Sequence, residues 1–242
     1  MSGHSKWSSI KRQKGVADVK RGATFTKLAN AITIATREGG GGEVASNFKL
    51  RLIVDTARAA NMPKDNIQRA IDRGLGKGGA GGLESVVYEA YAPSKVALIV
   101  EAATDNKNRT TAEVKSTIEK NGGTFVAKGA VSWMFEDRGL IVVEKRNKSF
   151  DEIFEIAVEA GAEDVEDSYD AVDIYTRSTE LELVKKALES KGLTIQAAEL
   201  AKKPTTMQAV TGEDKVNALF AFIEKIEDLD DVQKVFSNLE VS

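Results

Sequence analysis

The chain has 242 residues with no cysteine and a single histidine, and its 34 basic residues against 37 acidic ones give a net charge of −3. The composition excludes disulfides and thiolate metal sites, and a lone His4 argues strongly against histidine metal centres and a Ser-His-Asp triad. No early apolar run resembles a signal peptide, and no apolar run is long enough to span a bilayer. We therefore expect a cytoplasmic protein with no membrane partner, no cofactor, no metal and no small-molecule substrate.

The charge is divided unevenly along the chain. Residues 1–79 carry fifteen basic and six acidic residues, a net charge of +9, whereas residues 80–242 have a net charge of −12. A basic end of this kind fits a polyanion, and phosphate contacts supply most sequence-independent binding of nucleic acids. The alternative is that the basic run is only a solvated helix face.

Helical spacing dominates the first 80 residues, and we predict a bundle with a basic surface there. An extended start should lead into a short helix that Gly22 interrupts, and a glycine loop at 39–42 should separate the second helix from the third. Pro63 suits the start of a fourth helix, which Gly74 ends. The expected inward-facing residues of the last three helices are Phe25, Leu28, Ala29 and Ile32, then Leu50, Ile53, Val54 and Ala57, then Ile67, Ala70 and Ile71.

Basic side chains of this segment are the candidate nucleic-acid contacts. Trp7 lies among them, where its ring could stack on a base. The alternative for Trp7 is an anchor that docks the terminal arm on its own domain. The candidates in residues 1–80 are Lys6, Trp7, Lys11, Arg12, Lys14, Lys20, Arg21, Lys27, Lys64, Arg69 and Arg73.

A glycine-rich stretch at 74–82 formally contains the spacing GxGxxG. A dinucleotide site requires a strand before this motif and a helix after it, and here the predicted order is the reverse. Lys77 is followed by Gly78, so the P-loop pattern also fails. We interpret the stretch as an interdomain linker.

Beyond the linker the pattern becomes mixed α and β. Strands are predicted at 86–91 and 96–103, a helix at 111–121, and an extended stretch at 124–135 with Trp133 and Phe135 on one face. Residues 140–201 then read βαββαβ, the order of the ferredoxin-like plait. Its predicted strands lie at 140–144, 165–169, 172–177 and 194–201, with helices at 150–160 and 181–190. The tail adds strands at 207–210 and 232–236 around a helix at 216–226.

The tail is too small to hold a core by itself, and joining it to the unit before the plait would complete one layer. We therefore predict an α+β multidomain protein with an N-terminal helical bundle at 1–80. A discontinuous α+β domain should comprise 81–136 and 205–242, with a ferredoxin-like βαββαβ domain inserted at 137–204.

One polar cluster, at 104–110, follows a predicted strand and precedes a helix. Lys107 and Arg109 could contact phosphate or RNA there, whereas turn formation by Asp and Asn, with Thr110 capping the helix, is the structural alternative. The acids between Asp151 and Asp170 lack a nucleophile or metal-ligand spacing, and we interpret them as solvated surface or a protein-contacting face. No catalytic constellation is evident, so we predict that the chain is not an enzyme.

Several motifs resemble the YebC family, also called PmpR-like regulators, which includes the mitochondrial translational activator of cytochrome c oxidase. The likeness runs nearly the full length, with Gly129-Ala130 where the family more often has a Gly-Ser pair. The matching stretches are Gly-His-Ser-Lys-Trp at 3–7 with Ile10-Lys11, Lys-Arg-Gly at 20–22, Phe-Thr-Lys-Leu at 25–28, Asn-Met-Pro-Lys-Asp-Asn-Ile at 61–67, Arg-Ala-Ile at 69–71, Thr-Asp-Asn at 104–106, Asn-Arg-Thr at 108–110 and Asp-Leu-Asp-Asp-Val at 228–232.

The resemblance implies three domains, with the ferredoxin-like one inserted, and a non-enzymatic cytoplasmic regulator. Members are described as DNA-binding transcriptional regulators, and others resemble ribosome-associated factors that help translation through proline-rich stretches. Our first hypothesis is a DNA-binding transcriptional regulator, although no recognition helix, zinc finger or dimerising coiled coil is evident. The alternative is a translation factor that binds ribosomal RNA, since recognition by shape and phosphate needs no recognition helix.

Overall fold

A computed structural model describes residues 18–77, 82–168 and 170–241, with the side chains of residues 18–21 outside the description. Seven α-helices and ten strands lie within these ranges. They are α1 Asp18–Glu38, α2 Phe48–Ala59, α3 Lys64–Gly74, β1 Glu84–Tyr91, β2 Ala97–Thr104, α4 Lys107–Lys120, β3 Thr124–Val126, β4 Phe135–Glu144, α5 Phe150–Glu159, β5 Asp164–Ser168, β6 Ala171–Arg177, α6 Leu181–Ser190, β7 Ile195–Pro204, β8 Gln208–Val210, α7 Glu213–Glu227, β9 Val232–Ser237 and β10 Leu239–Val241.

Helices α1, α2 and α3 form one small core at the N-terminal side of the described chain. Helix α1 runs without a break through Gly22, so the predicted interruption was wrong. A single glycine costs a helix only about 1 kcal/mol, which the long packed segment after it readily offsets. Ile32, Leu50 and Val54 are fully buried in this core, together with the inward face predicted for α3.

The C-terminal tail supplies the last strand of the sheet that begins directly after the linker. Its strand order is β3-β1-β2-β9, and β9 pairs antiparallel with β2. Helices α4 and α7 cover one face, where Val114 and Ile118 meet Phe222 and Ile223. Strand β10, which sequence analysis did not predict, pairs in parallel with β8.

The segment between these parts forms a second antiparallel sheet in the order β5-β6-β4-β7. Together with the chain order βαββαβ, this is the ferredoxin-like topology, and the predicted α+β fold class is confirmed. Alternate residues of β4 face opposite layers: Ile141 packs under α5 and α6, whereas Leu140 faces the first sheet. The residue limits predicted for the three domains stay a prediction.

The two sheets pack face to face through a shared apolar layer. Ile99 and Phe236 of the first sheet meet Leu140 and Tyr175 of the second, and Tyr175 is only 3% exposed. The ferredoxin-like sheet therefore has no open face on which RNA could stack, because helices cover one side and the other sheet covers the second.

Two helices of the N-terminal core join it to the rest of the molecule. Leu52 of α2 enters the core of the ferredoxin-like layer, and Arg51 lies 3.7 Å from Glu182 of α6. From α1, Lys27 donates through Nζ to the backbone carbonyl of Glu227. The three parts thus form one body with charged contacts at both junctions.

Two predicted details were wrong. Residues 132–134 form a turn of 3-10 helix, so Trp133 is 66% exposed while Phe135 is buried, and the two do not share a strand face. Helix α4 begins at Lys107 rather than 111, because the side chain of Asn106 accepts the backbone N–H of Arg109 and acts as the N-cap. Across residues 18–77, 82–168 and 170–241, no helix is both long and apolar enough to cross a membrane.

Candidate nucleic-acid interface

Much of the predicted basic arm lies outside the described residues. Lys20 and Arg21 fall in the first turn of α1, where only the backbone is described. The five arm candidates that lie wholly outside are Lys6, Trp7, Lys11, Arg12 and Lys14.

A shallow cleft of about 330 Å³ between α1 and α3 brings two candidates, Arg69 and Arg73, together. Phe25 and Ala29 line one wall, within the first twelve residues of α1. The cleft therefore lies along the N-terminal half of α1. Its apolar walls and cationic rim suit contact with a polyanion that also carries flat, apolar groups.

Arg73 has a structural role in the cleft. Its Nη2 donates to Asn30 Oδ1 at 2.7 Å and its Nε donates to Thr33 Oγ1 at 3.1 Å, so it ties α3 to α1. Asn30 and Thr33 are both buried, and the guanidinium satisfies polar groups that would otherwise be costly to bury. Its positive charge still contributes to the field of the cleft, since no carboxylate among the described residues pairs with it.

Arg69 lies on the outer side of α3 and is exposed. It donates through Nη2 to Asn66 Oδ1 and through Nε to the backbone carbonyl of Asp65, at 3.2 Å for the second bond. These local bonds hold the side chain over the rim without neutralising it. Lys64, at the first position of α3, is also exposed.

Lys27 is half-buried and serves the contact between α1 and α7 described above. The carbonyl it binds belongs to the last residue of α7, where the helix dipole favours a cation. The structure therefore places this candidate at an internal junction.

The 104–110 cluster folds as a compact polar turn between β2 and α4. Thr110 Oγ1 donates to Asp231 Oδ2 at 2.5 Å and lies 2.7 Å from Thr104 Oγ1, while Ala103 N–H donates to the Asp231 carbonyl at 2.8 Å. Two stretches that carry the family resemblance, 104–110 and 228–232, thus meet through Asp231.

Within this turn the Arg109 guanidinium is 2.8 Å from Asp105 and 3.4 Å from Asp231. Hydrogen bonds and charge attraction from these two carboxylates raise the pKa of Arg109 above its usual value. The charge is largely matched by its neighbours, which favours the turn-forming interpretation of the cluster over phosphate binding. The predicted cap was wrong, because Asn106 caps the helix and Thr110 lies within its first turn. Lys107 is exposed at the start of α4 and remains accessible to a partner.

The candidates thus fall into separate groups. Arg69 and Arg73 share one cleft, and Lys107 and Arg109 share one turn, but no hydrogen bond or ion pair among the described residues links the two groups. Nor does the described part of the chain contain a cluster of three or more His, Cys, Asp or Glu side chains suited to a metal ion.

The exposed position of Trp133 was not predicted from the sequence. The prediction of an extended strand was wrong because Gly129 adopts a φ of 93°, which turns the chain before the tryptophan. The glycine itself was the signal for a turn, since an isolated glycine in a strand-like pattern often marks a break in the strand.

Comparisons with known proteins cover almost the whole chain. Residues 5–77 match the model of the TACO1/YebC N-terminal domain, and residues 83–239 match that of the TACO1/YebC second and third domain. A protein of Roseiflexus castenholzii is 57% identical over all of this chain and 96% of its own length, and one of Chloroflexus aurantiacus is 50% identical with the same coverage. Both are named probable transcriptional regulatory proteins.

A crystal structure of a conserved hypothetical protein from Aquifex aeolicus has the same fold. It superposes with a TM-score of 0.86 at 41% sequence identity, covering 93% of this chain and 92% of that one.

Fold and surface together define a class: an α+β protein in which a helical unit is attached to two packed sheets. The extent of the family match then settles the membership. The chain belongs to the TACO1/YebC family, as the motif resemblance indicated. The names of these relatives describe transcriptional regulators, and this class of protein is not a class of enzymes. The names therefore agree with the non-enzymatic role that was predicted from the sequence.

Proposed function

We propose that this chain is a non-enzymatic, nucleic-acid-binding regulator of gene expression that acts on DNA in transcription. The contact surface is the basic N-terminal helical domain: the arm, the cleft between α1 and α3, and the outer face of α3. The observation that carries the proposal is the concentration of fifteen basic residues against six acidic ones in residues 1–79, with Arg69 and Arg73 together in the cleft between α1 and α3.

The connection between α2 and α3 supports DNA as the target. Residues 60–63 form a four-residue turn between the two helices, a spacing used by helix-turn-helix proteins. In those proteins the first residues of the second helix contact base edges. Here Lys64, Gln68 and Arg69 occupy the exposed side of that helix.

A different observation favours the alternative, a ribosome-associated factor that relieves stalling at proline-rich stretches. Asp65 and Asp72 are interleaved with the basic residues of α3. Carboxylates there oppose insertion into a DNA groove, because they would face acceptor-rich base edges and phosphates. Contact with folded RNA through the arm would leave this face in solvent.

Binding of a DNA duplex by alanine variants tests the contact surface. Arg69→Ala combined with Lys64→Ala should weaken binding and lower the salt slope by about 0.9 for each phosphate of B-DNA that the protein no longer neutralises. Lys215→Ala, which removes an exposed lysine from α7 in the acidic part of the chain, is the matched control and should leave both quantities unchanged. Unchanged affinity and slope in the double variant would remove the outer face of α3 from the contact surface.

Crosslinking in growing cells, followed by sequencing of the bound nucleic acid and sedimentation of the protein, separates the two targets. Discrete promoter DNA sites, with the protein absent from ribosomal fractions, support the transcriptional regulator. Enriched ribosomal RNA together with co-migration with ribosomes supports the translation factor instead.

A further inference from the structure

Trp133 is exposed in a manner unusual for tryptophan. The residue is 66% accessible, although tryptophan is on average highly buried. The indole Nε1–H donates to the carbonyl oxygen of Ala130 at 3.0 Å. Because that one donor is satisfied inside the loop, the ring offers a partner only its apolar face and edge.

The loop that carries Trp133 is held by a buried carboxylate. Glu89 of β1 is 2% exposed, and its oxygens accept the backbone N–H groups of Gly129 at 2.7 Å, Val131 at 2.6 Å and Ser132 at 3.1 Å. At the other end of the turn, the carbonyl of Met134 accepts a hydrogen bond from the chain that follows β7. The ring is therefore positioned before any partner arrives, which lowers the entropic cost of binding.

The surroundings of the ring fit a nucleobase better than a protein partner. The exposed residues that precede it in the loop are small or cationic: Ala127, Lys128, Gly129 and Ser132. The other large exposed hydrophobic residues of the described chain belong to other elements: Leu75, Val87, Phe154, Val158 and Leu183. Aromatic anchors of protein interfaces sit in packed apolar pockets. An exposed aromatic ring with an exposed lysine in the same loop suits stacking on single strands, where the cation meets the backbone phosphate.

We propose that Trp133 and Lys128 form a stacking site for an unpaired base of single-stranded nucleic acid. This inference rests on the proposed function only in taking nucleic acid as the ligand class. The site itself lies elsewhere: Met134 adjoins Asn238, which binds the N–H of Ala97 at the start of β2. The 104–110 turn follows the other end of that eight-residue strand, whose two ends are about 23 Å apart at 3.3 Å per residue.

A full-length chain carrying Trp7→Phe tests the site, because Trp133 is then the sole tryptophan. Titration with a ten-nucleotide single strand should quench Trp133 fluorescence. Trp133→Ala should weaken binding of the single strand about tenfold, within the range measured for one base–aromatic stack, whereas Trp133→Phe should retain most of the affinity. Lys128→Ala should reduce the salt dependence of single-strand binding.

Leu183→Ala is the matched control, since Leu183 is 69% exposed on α6 and its truncation should change nothing. Equal unfolding midpoints of parent and Trp133→Ala would show that the variant is folded. No quenching together with unchanged single-strand affinity in Trp133→Ala overturns the site. A second experiment places a photo-reactive phenylalanine analogue at position 133. Crosslinks to protein alone in cells would also overturn the site, because they would assign the ring to a protein partner.

Duplex binding keeps this result separate from the proposed function. Trp133→Ala should leave duplex affinity unchanged, and the triple replacement of Lys11, Arg12 and Lys14 by Ala should weaken it. Failure of the triple replacement to weaken duplex binding would count against the basic arm and leave the stacking site standing.

Discussion

Replacement of Glu89 by Gln should destabilise the protein and loosen the Trp133 loop. Burial acts to raise the pKa of Glu89, but hydrogen bonds from Gly129, Val131 and Ser132 outweigh it, so the pKa lies below its usual value and the group is ionised near neutrality. Glutamine keeps one acceptor oxygen and turns an NH₂ group toward one of the three backbone donors.

The magnitude follows from the three hydrogen bonds. A donor left buried and unpaired costs about 1–3 kcal/mol. The two remaining bonds change from charged to neutral acceptors, each losing about 1 kcal/mol. We therefore expect the free energy of unfolding to fall by about 3–5 kcal/mol at pH 7, the sum of these terms.

Urea unfolding followed by circular dichroism measures this loss, with Glu84→Gln as the control, because Glu84 is an exposed residue of the same strand. The pH dependence adds a second check. Since the folded-state pKa of Glu89 is depressed, its contribution is present above the unfolded pKa and is lost as the pH falls through the folded one. The parent should thus approach the stability of the variant at low pH. A loss below about 1 kcal/mol, the value of an ordinary neutral hydrogen bond, would refute the proposed role of the carboxylate.

Two further predictions concern packing and charge. A Cβ at Gly74 would lie 2.6 Å from the Thr33 carbonyl oxygen, so Gly74→Ala should push α3 away from α1 and lower the free energy of unfolding in urea by about 1–3 kcal/mol. A Cβ at Gly22 would meet open space, so Gly22→Ala should stabilise the helix by about 0.5–1 kcal/mol. Equal effects at the two glycines would contradict the packing argument. Burial raises the pKa of Glu101, and the positive charge of Lys234 opposes this shift only in part. Because the pKa of Glu101 is higher in the folded than in the unfolded protein, the free energy of unfolding should fall as the pH rises from the unfolded-state to the folded-state value. Glu101→Gln should flatten that fall and raise the urea midpoint at pH 7; a lower midpoint there would contradict it.

Local patterns in the sequence determined most of the elements. Helix α6 coincides with its prediction at Leu181–Ser190, because an apolar stripe, a Gly just beyond the helix and neighbouring strands all agree. The βαββαβ order followed from the alternation of 3.6-residue and 2-residue periods, which each segment sets for itself. The uneven charge was likewise visible without coordinates, since composition needs no folding to be read.

Only the tertiary structure decided how the candidates are used. Lys27 and Arg73 resemble the other cations in sequence, yet one binds a carbonyl at the end of α7 and the other satisfies buried groups of α1. The partner of the 104–110 turn, Asp231, lies more than 120 residues away along the chain. Trp133 gained its exposure from a loop held by Glu89, 44 residues earlier. Periodicity reports which side of an element is apolar; the packing of distant elements determines which polar groups remain for a partner.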